Sequence, residues 1–570
     1  MANDDEYRPR TWLPNERPTL PGSPSFPTHS PAKRLGYLMV GLLVAMTGGL
    51  GNSLVTANLV NLQGTLGAYA SEMQWLPAAY VMTTVSMNLL LVKFRQQFGL
   101  RLYTEFFLVL YALVAFAHLF VHNLGAAIAV RAAHGLAAGA LSTLGLYYVL
   151  QAFSKQHRLR GLVLGLGTSQ LALPLARTFS SSLLEIDEWR GLVLFELGLC
   201  LLALGCVLLL KLPPGDRIKT FEKLDFLTFG LFAPGVAMLC AVLALGRTVW
   251  WLEAPWVGAC AAGAIVLIVA SLAIEHNRAQ PLLNTRWLST VRIAKIATSV
   301  LLVRIVLSEG TGVVGFLQAL GLHTDQMQSL FAIVLLGSVV GLAASAMTVT
   351  PNNLTSSLMV ALACMTVGAL IDAHATSLTR PVNMYLSQFL LAFGGTFFLG
   401  PTMIAGFGLV IAEPRNLVSF SVMFTITQNI GGLLGTAIVS TVQVLREKFH
   451  SSYLVEHLTL LDPNVAARVQ SGGGRYASII NDPTIRNAEG VAALGTAATR
   501  EANVLAYNDV FLLIAAVAIA TMIWLGVSTL WERFTKPRSA ARDAVHGAQA
   551  GMANVPLTNS EVAPAKPEHQ

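Results

Sequence analysis

Between Leu35 and about Trp531 the chain is divided by short polar breaks into about fourteen apolar runs, each of about twenty residues. No other feature restricts the fold so strongly. A helix of that length crosses the roughly 30 Å hydrocarbon core of a bilayer. In hydrocarbon every backbone polar group must be satisfied internally, which leaves helices or closed barrels. No segment shows the period-two alternation of a barrel strand, so helices remain. The runs begin near Leu35, Trp75, Thr104, Ala126, Gly161, Gly191, Asp225, Pro255, Arg292, Met327, Ser357, Asn383, Asn416 and Asn508. The expected fold class is therefore an all-α polytopic membrane protein. Its charged fraction of 12% supports this, since an ordinary soluble domain carries about 25%.

The distribution of charge explains the net +7. Lys93, Arg95 and Arg101, then Lys155, Arg158 and Arg160, then Arg217, Lys219 and Lys223, then Arg278 and Arg286 occupy alternate loops. The loops between them hold Glu72, His122, and Glu185, Asp187 and Glu188 with Arg190. The positive-inside rule then places both termini in the cytoplasm and assigns the basic excess to topology rather than to nucleic acid. Residues 1–34, with prolines from Pro9 to Pro31 and ending on Lys33 and Arg34, read as a disordered cytoplasmic tail without a signal peptide. Residues 532–570 read as a second such tail.

The loop of residues 446–507 is too long for a simple connection. Leu454, Leu458 and Leu461 recur at helical spacing, Asp462-Pro463 is a helix-start signal, and Ser471–Arg475 reads SGGGR. It is expected to form a small subdomain or a partner contact. The five cysteines lie in apolar runs without ligand spacing, so neither a disulfide framework nor a metal site is expected. No GxxxxGK[ST], HExxH or GxSxG occurs, so neither an enzyme nor a cofactor is expected, and any energy must come from an ion gradient or from the substrate.

An ordered set of local patterns adds to this. WLPAAYVM (75–82), FGLR (98–101), RAAHGLAAG (131–139), EWRG (188–191), QPLL (280–283), FLGPTMIAGFGLVIAEPRN (398–416), TQNIGGLLGTA (427–437) and YNDVF (507–511) follow one another. Together they resemble the fourteen-helix drug:proton antiporters of the major facilitator superfamily, and the long loop before the last helix looks most like the EmrB-like inner-membrane pump of tripartite efflux systems. The resemblance implies the major facilitator fold, with six-helix bundles over 35–212 and 276–531 and two inserted helices within 213–275. It further implies alternating access, a multidrug-type bacterial inner-membrane exporter, and a periplasmic adaptor leading to an outer-membrane channel.

The sequence departs from that pattern in several places. Gln96 stands where the basic loop of the family has an Asp, and the first helix offers Asn52 and Asn58 in place of an acid. His134 replaces a common glutamine. The family's G-P-x-x-G-G falls on Ala176–Ser181, one turn after Pro174, and contains Arg177. Glu196 stands for an asparagine.

Four residues are thereby candidates for proton coupling: Arg131, His134, Glu196 and Glu309. An arginine at mid-depth costs at least a few kcal/mol, which makes Arg131 a candidate by default; the other reading is a packing arginine that is held by carbonyls or snorkels. His134 is read chiefly as a satisfied core histidine. Glu309 is the expected proton carrier, since the first helix has lost its acid; a structural ion pair is the other reading. Arg304, five residues earlier, does not share a helical face with it, so each is expected to have its own partner or to face the cavity. Arg177 and Glu196 lie at similar depth and are expected to pair. Asn52, Asn58, Phe316, Gln318, Gln428 and Asn429 are expected to line the cavity. Pro174, Trp189, Arg190, Gly431 and Gly432 have expected packing or gating roles. Two functional alternatives stay open: an uncoupled facilitator or importer of one solute, and a transport-dead receptor or assembly subunit.

Overall fold

Each apolar run satisfies its own backbone as helix. The computed structural model describes Glu16, Pro18, residues 22–251 and residues 253–553. The sequence readings for the remaining residues of the two tails lie outside the described residues. The described residues are mostly helix, with no strand among them.

Among the described residues, fourteen helical segments are long and apolar enough to cross a membrane. Spans 1–7 are Pro31–Ala57, Ala70–Phe98, Leu100–Phe120, Leu124–Ala152, Arg158–Leu184, Trp189–Leu209 and Lys223–Leu245. Spans 8–14 are Pro255–His276, Val291–Ala319, Thr324–Thr348, Leu354–Asp372, Pro381–Ala412, Pro414–Glu456 and Pro483–Glu532. All start within a few residues of the expected positions except the last, whose helix begins well before Asn508.

Local chemistry sets several of these boundaries. The Asn123 side chain caps span 4 by accepting from Ala126 N at 2.8 Å. Pro255 opens span 8, where its missing N–H costs nothing. Span 4 packs on spans 1, 2 and 3, span 12 on spans 10 and 11, and span 13 on span 9. Span 5 meets spans 10 and 12, and span 2 meets span 13. Residues up to Thr521 form one compact unit, and those from Met522 a second.

Spans 7 and 8 pack on each other, and span 7 also packs on span 2. Their basic ends are joined by a buried ion network. Lys93 Nζ lies 2.7 Å from Asp225 Oδ2, and Arg278 reaches Asp225 at 2.9 Å, Glu222 at 2.7 Å and Glu275 at 2.6 Å. Burial alone would lower the pKa of Arg278, but its hydrogen bonds to Glu275, Glu222 and Asp225 outweigh that and raise it. Its charge is therefore permanent, and Asp225 supplies the acid facing Lys93 that the basic loop lacks at Gln96.

Three segments correct the sequence reading. Residues 22–30 are placed against the basic end rather than forming a disordered tail. Ser25 N donates to Pro214 O at 3.0 Å, Gln151 Nε2 donates to Ser25 O at 2.9 Å, and the Arg158 guanidinium lies 3.7 Å from the centre of the Phe26 ring. The last helix continues to Ala553, through residues expected to be disordered.

In the long loop, the helix of span 13 runs to Glu456, Asp462 caps a short helix Pro463–Gly474, and the last helix begins at Pro483. Leu458 and Leu461 fall in the turn before Pro463 rather than on a helix. SGGGR has a packing role: a Cβ on Gly472 would lie 3.3 Å from Gly490 Cα, so the two helices meet through their glycines. At the base, Asp509 binds Arg446 at 2.5 Å and His450 at 2.7 Å, and Gln443 donates to Asn503 at 2.8 Å.

Candidate functional site

The first polar cluster is built where spans 1, 2, 3, 4 and 6 converge. Arg131 and His134 lie three residues apart on span 4, so both point the same way. Both are fully buried. Arg131 donates to Gly51 O at 2.8 Å and to Asn52 Oδ1 at 2.6 Å, and its guanidinium lies 4.7 Å from the centre of the Tyr80 ring. His134 Nδ1 is 3.4 Å from Arg131 Nη1, and its Nε2 is 2.8 Å from Glu196 Oε1. Tyr111 donates to the same Glu196 oxygen at 2.7 Å. Gly51 makes this convergence possible, since a Cβ there would overlap Tyr111 and Glu196 and come within 3.0 Å of His134.

Arg131 thus does not snorkel; it is held by a carbonyl and by a side chain of the neighbouring span. His134 is a core histidine, and its main partner is the carboxylate of Glu196. Arg177 and Glu196 do not pair: the Arg177 guanidinium lies 5.2 Å from the centre of the Phe331 ring of span 10, while Glu196 faces spans 3 and 4. Equal depth left the direction around each helix undetermined, and the two face different neighbours.

Beside this cluster lies a cavity of about 750 Å³. It runs from Gly48, Asn52 and Tyr80 to the basic end, where it meets Arg158, Leu159 and Ile411 and is flanked by Ser23 and Phe26 of the N-terminal segment. Its wall is mainly apolar, with Asn88, Gln170, Gln428 and Asn429 among its polar groups. Asn52 belongs both to this wall and to the Arg131 cluster.

Arg304 enters the cavity from span 9. Its Nε donates to Gln428 O at 3.0 Å, and its Nη1 lies 3.5 Å from Gln170 Oε1. Gly431 and Gly432 make room for it: a Cβ at either would come within 3.0 Å of the Arg304 side chain. Glu309 faces elsewhere. Gln388 Nε2 lies 3.1 and 3.0 Å from its two oxygens and 2.8 Å from Asp372 Oδ2, so one amide serves two buried carboxyl groups.

Of the expected cavity residues, Asn52, Gln428 and Asn429 line it. Asn58, Phe316 and Gln318 do not. Asn58 is buried and donates to Leu54 O and to Ser180 Oγ at 2.8 Å, joining spans 1 and 5. Phe316 packs among Val313, Leu317, Met327, Tyr507 and Phe511, and Gln318 is exposed near the far end of span 9. Trp189 is buried and donates to His118 O at 3.2 Å, while Arg190 beside it is exposed. Pro174 is half-buried in span 5.

Sequence reasoning read Arg95 only as a loop charge, and it missed Tyr80, Tyr111, Gln170, Asp372 and Gln388. Asp372 alone had a sequence signal, as a lone acid at the end of an apolar run. The others are ordinary residue types that acquire a role only through their neighbours.

The sequence matches the Major Facilitator Superfamily over residues 41–436. No match was found among curated proteins. The fold is similar to the human organic anion transporter MFSD10 (TETRAN), with TM-score 0.53 and 12% identity over 85% of this chain and 99% of that one. It is also similar to the proton:xylose symporter XylE, with TM-score 0.49 and 14% identity over 86% of this chain and 95% of that one.

Proposed function

The chain belongs to the Major Facilitator Superfamily, and we propose that it exports small amphipathic organic compounds across a bacterial inner membrane in exchange for protons. Both termini would lie in the cytoplasm, with the cavity open to that side. One observation carries the coupling. Asn52 on the cavity wall, Arg131, His134 and Glu196 form an unbroken series of close polar contacts. Proton uptake at the His134–Glu196 pair changes the charge facing Arg131, and Arg131 transmits that change to span 1 through Gly51 and Asn52. A ligand that perturbs Asn52 acts on the same series from the other end, which is the reciprocity that exchange requires. Glu309 and Asp372, joined through Gln388, form a second buried acid site.

The mainly apolar cavity suits amphipathic compounds and weak selectivity. The helical hairpin between spans 13 and 14 exposes Tyr453, Leu460, Leu461 and Ile479, a surface suited to a periplasmic adaptor that leads to an outer-membrane channel.

Proton flux tests this reading in sealed proteoliposomes given lipophilic compounds, with wild type beside Glu196→Gln, Arg131→Ala and Glu309→Gln. Compound-driven flux that falls at least about tenfold in Glu196→Gln and Arg131→Ala is expected. Loss in Glu309→Gln alone would move coupling to the second acid site. Transport without any proton signal would establish the uncoupled facilitator instead, a reading favoured by the absence of an acid from span 1.

A further inference from the structure

We infer that the cavity selects organic anions, molecules with an apolar body and one carboxylate or sulfonate group, and that Arg304 anchors the charged end. This rests on the reading of the cavity as the substrate site and narrows its substrate class.

The wall of the cavity carries the guanidinium groups of Arg95, Arg158 and Arg304 and, among the described residues, no carboxylate. At the basic end outside the cavity, the buried groups of Lys93 and Arg278 are matched with Asp225. The three guanidinium groups of the cavity have no such acid among the described residues. Arg95 is 2% exposed, its Nε has no hydrogen-bond partner, and its guanidinium lies 4.8 Å from the centre of the Tyr147 ring. Arg158 Nε is likewise buried without a partner. Arg304 binds only a backbone carbonyl and, at 3.5 Å, an amide oxygen, so much of its donor fork stays unused.

Three like charges in a cavity with apolar walls focus a positive potential into it. The group that relieves this is an anion. A guanidinium binds carboxylate or sulfonate oxygens through two parallel N–H donors, a geometry that an ammonium cannot provide. Arg304 is held in place by the Gln428 carbonyl and by the space that Gly431 and Gly432 leave beside it. Phe407, Phe420 and Phe424 supply an apolar wall for the rest of the molecule. A lipophilic cation would meet three guanidinium groups and no compensating acid.

The test is equilibrium binding to the full-length purified protein in detergent, read by calorimetry. The probes are naphthalene-2-sulfonate, neutral naphthalene-2-sulfonamide and naphthylmethylammonium. The sulfonate is permanently ionised, so it does not carry protons across a bilayer by itself. It is expected to bind at least about tenfold more tightly than the sulfonamide, a gap typical of one charge-assisted contact. The ammonium is expected to bind most weakly. Arg304→Gln is expected to remove the preference for sulfonate, and an unchanged thermal unfolding profile in detergent shows that the variant is folded. Arg304→Lys should retain part of the preference. Equal binding of the sulfonate and sulfonamide, or tighter binding of the ammonium, would overturn the inference. The assay involves no proton flux, so anion selectivity without flux would refute exchange alone. Flux driven by neutral or cationic compounds would support exchange and refute the anion site.

Discussion

Gly51 illustrates how little space the polar cluster leaves. It lies where Tyr111, Glu196 and His134 converge on span 1, and its carbonyl accepts from Arg131. Gly51→Ala is expected to displace Glu196 or Tyr111 and to lower stability by about 1–3 kcal/mol, the usual cost of overpacking. Thermal unfolding of the purified protein in detergent measures this, and an unchanged Tm would mean that the cluster is looser than its distances indicate. The residues of this site were only partly legible. Arg131 and Glu196 stand out in apolar runs because charge is costly there. Their partners do not stand out, since Tyr111 and Tyr80 are ordinary residues of a membrane helix. The expected Arg177–Glu196 pair failed for a related reason. Depth follows from counting residues, but a helix that is apolar on all sides gives no sign of which face meets which neighbour.

At the scale of elements, hydrophobic run length located the spans to within a few residues, because the bilayer imposes that length on each crossing helix. It was silent on helices that continue beyond the hydrocarbon, and so the start of the last helix at Pro483 was missed. The glycines of the hairpin were visible as SGGGR, but their packing against Gly490 depends on a contact distant in sequence. The ordered segment 22–30 was missed because its proline-rich composition matches that of disordered chain. Only docking shows that Phe26 sits under Arg158. The hairpin carries its own prediction. Replacing residues 457–482 with a short Gly-Ser linker leaves the Asp509 contacts at its base, so proton flux in vesicles is expected to be unchanged. Export to the medium by whole cells should fall, with compound retained in the periplasm. Loss of vesicle flux as well would mean that the hairpin serves the fold rather than an adaptor.

For the whole molecule, the cavity and the contacts opposite it define one state of a cycle. At the basic end the lining of the cavity includes the exposed Leu159 and Ile411. Towards the other end, spans 5 and 10 are joined: Gln328 Nε2 donates to Ser181 Oγ at 2.7 Å, and Arg177 lies over Phe331. A transporter that opens alternately to its two sides must separate these spans when the cavity faces the other way. None of these contacts is strong, as befits a closure that must break on each turnover. Cysteines at positions 181 and 328, in a protein whose five native cysteines are replaced, would allow a short cleavable cross-linker to hold the spans together. The linked protein is expected to bind ligand from the basic end with unchanged Kd but to transport none, and cleavage of the linker should restore transport. Full transport by the linked protein would mean that spans 5 and 10 stay together throughout the cycle, and that the cavity empties by another route.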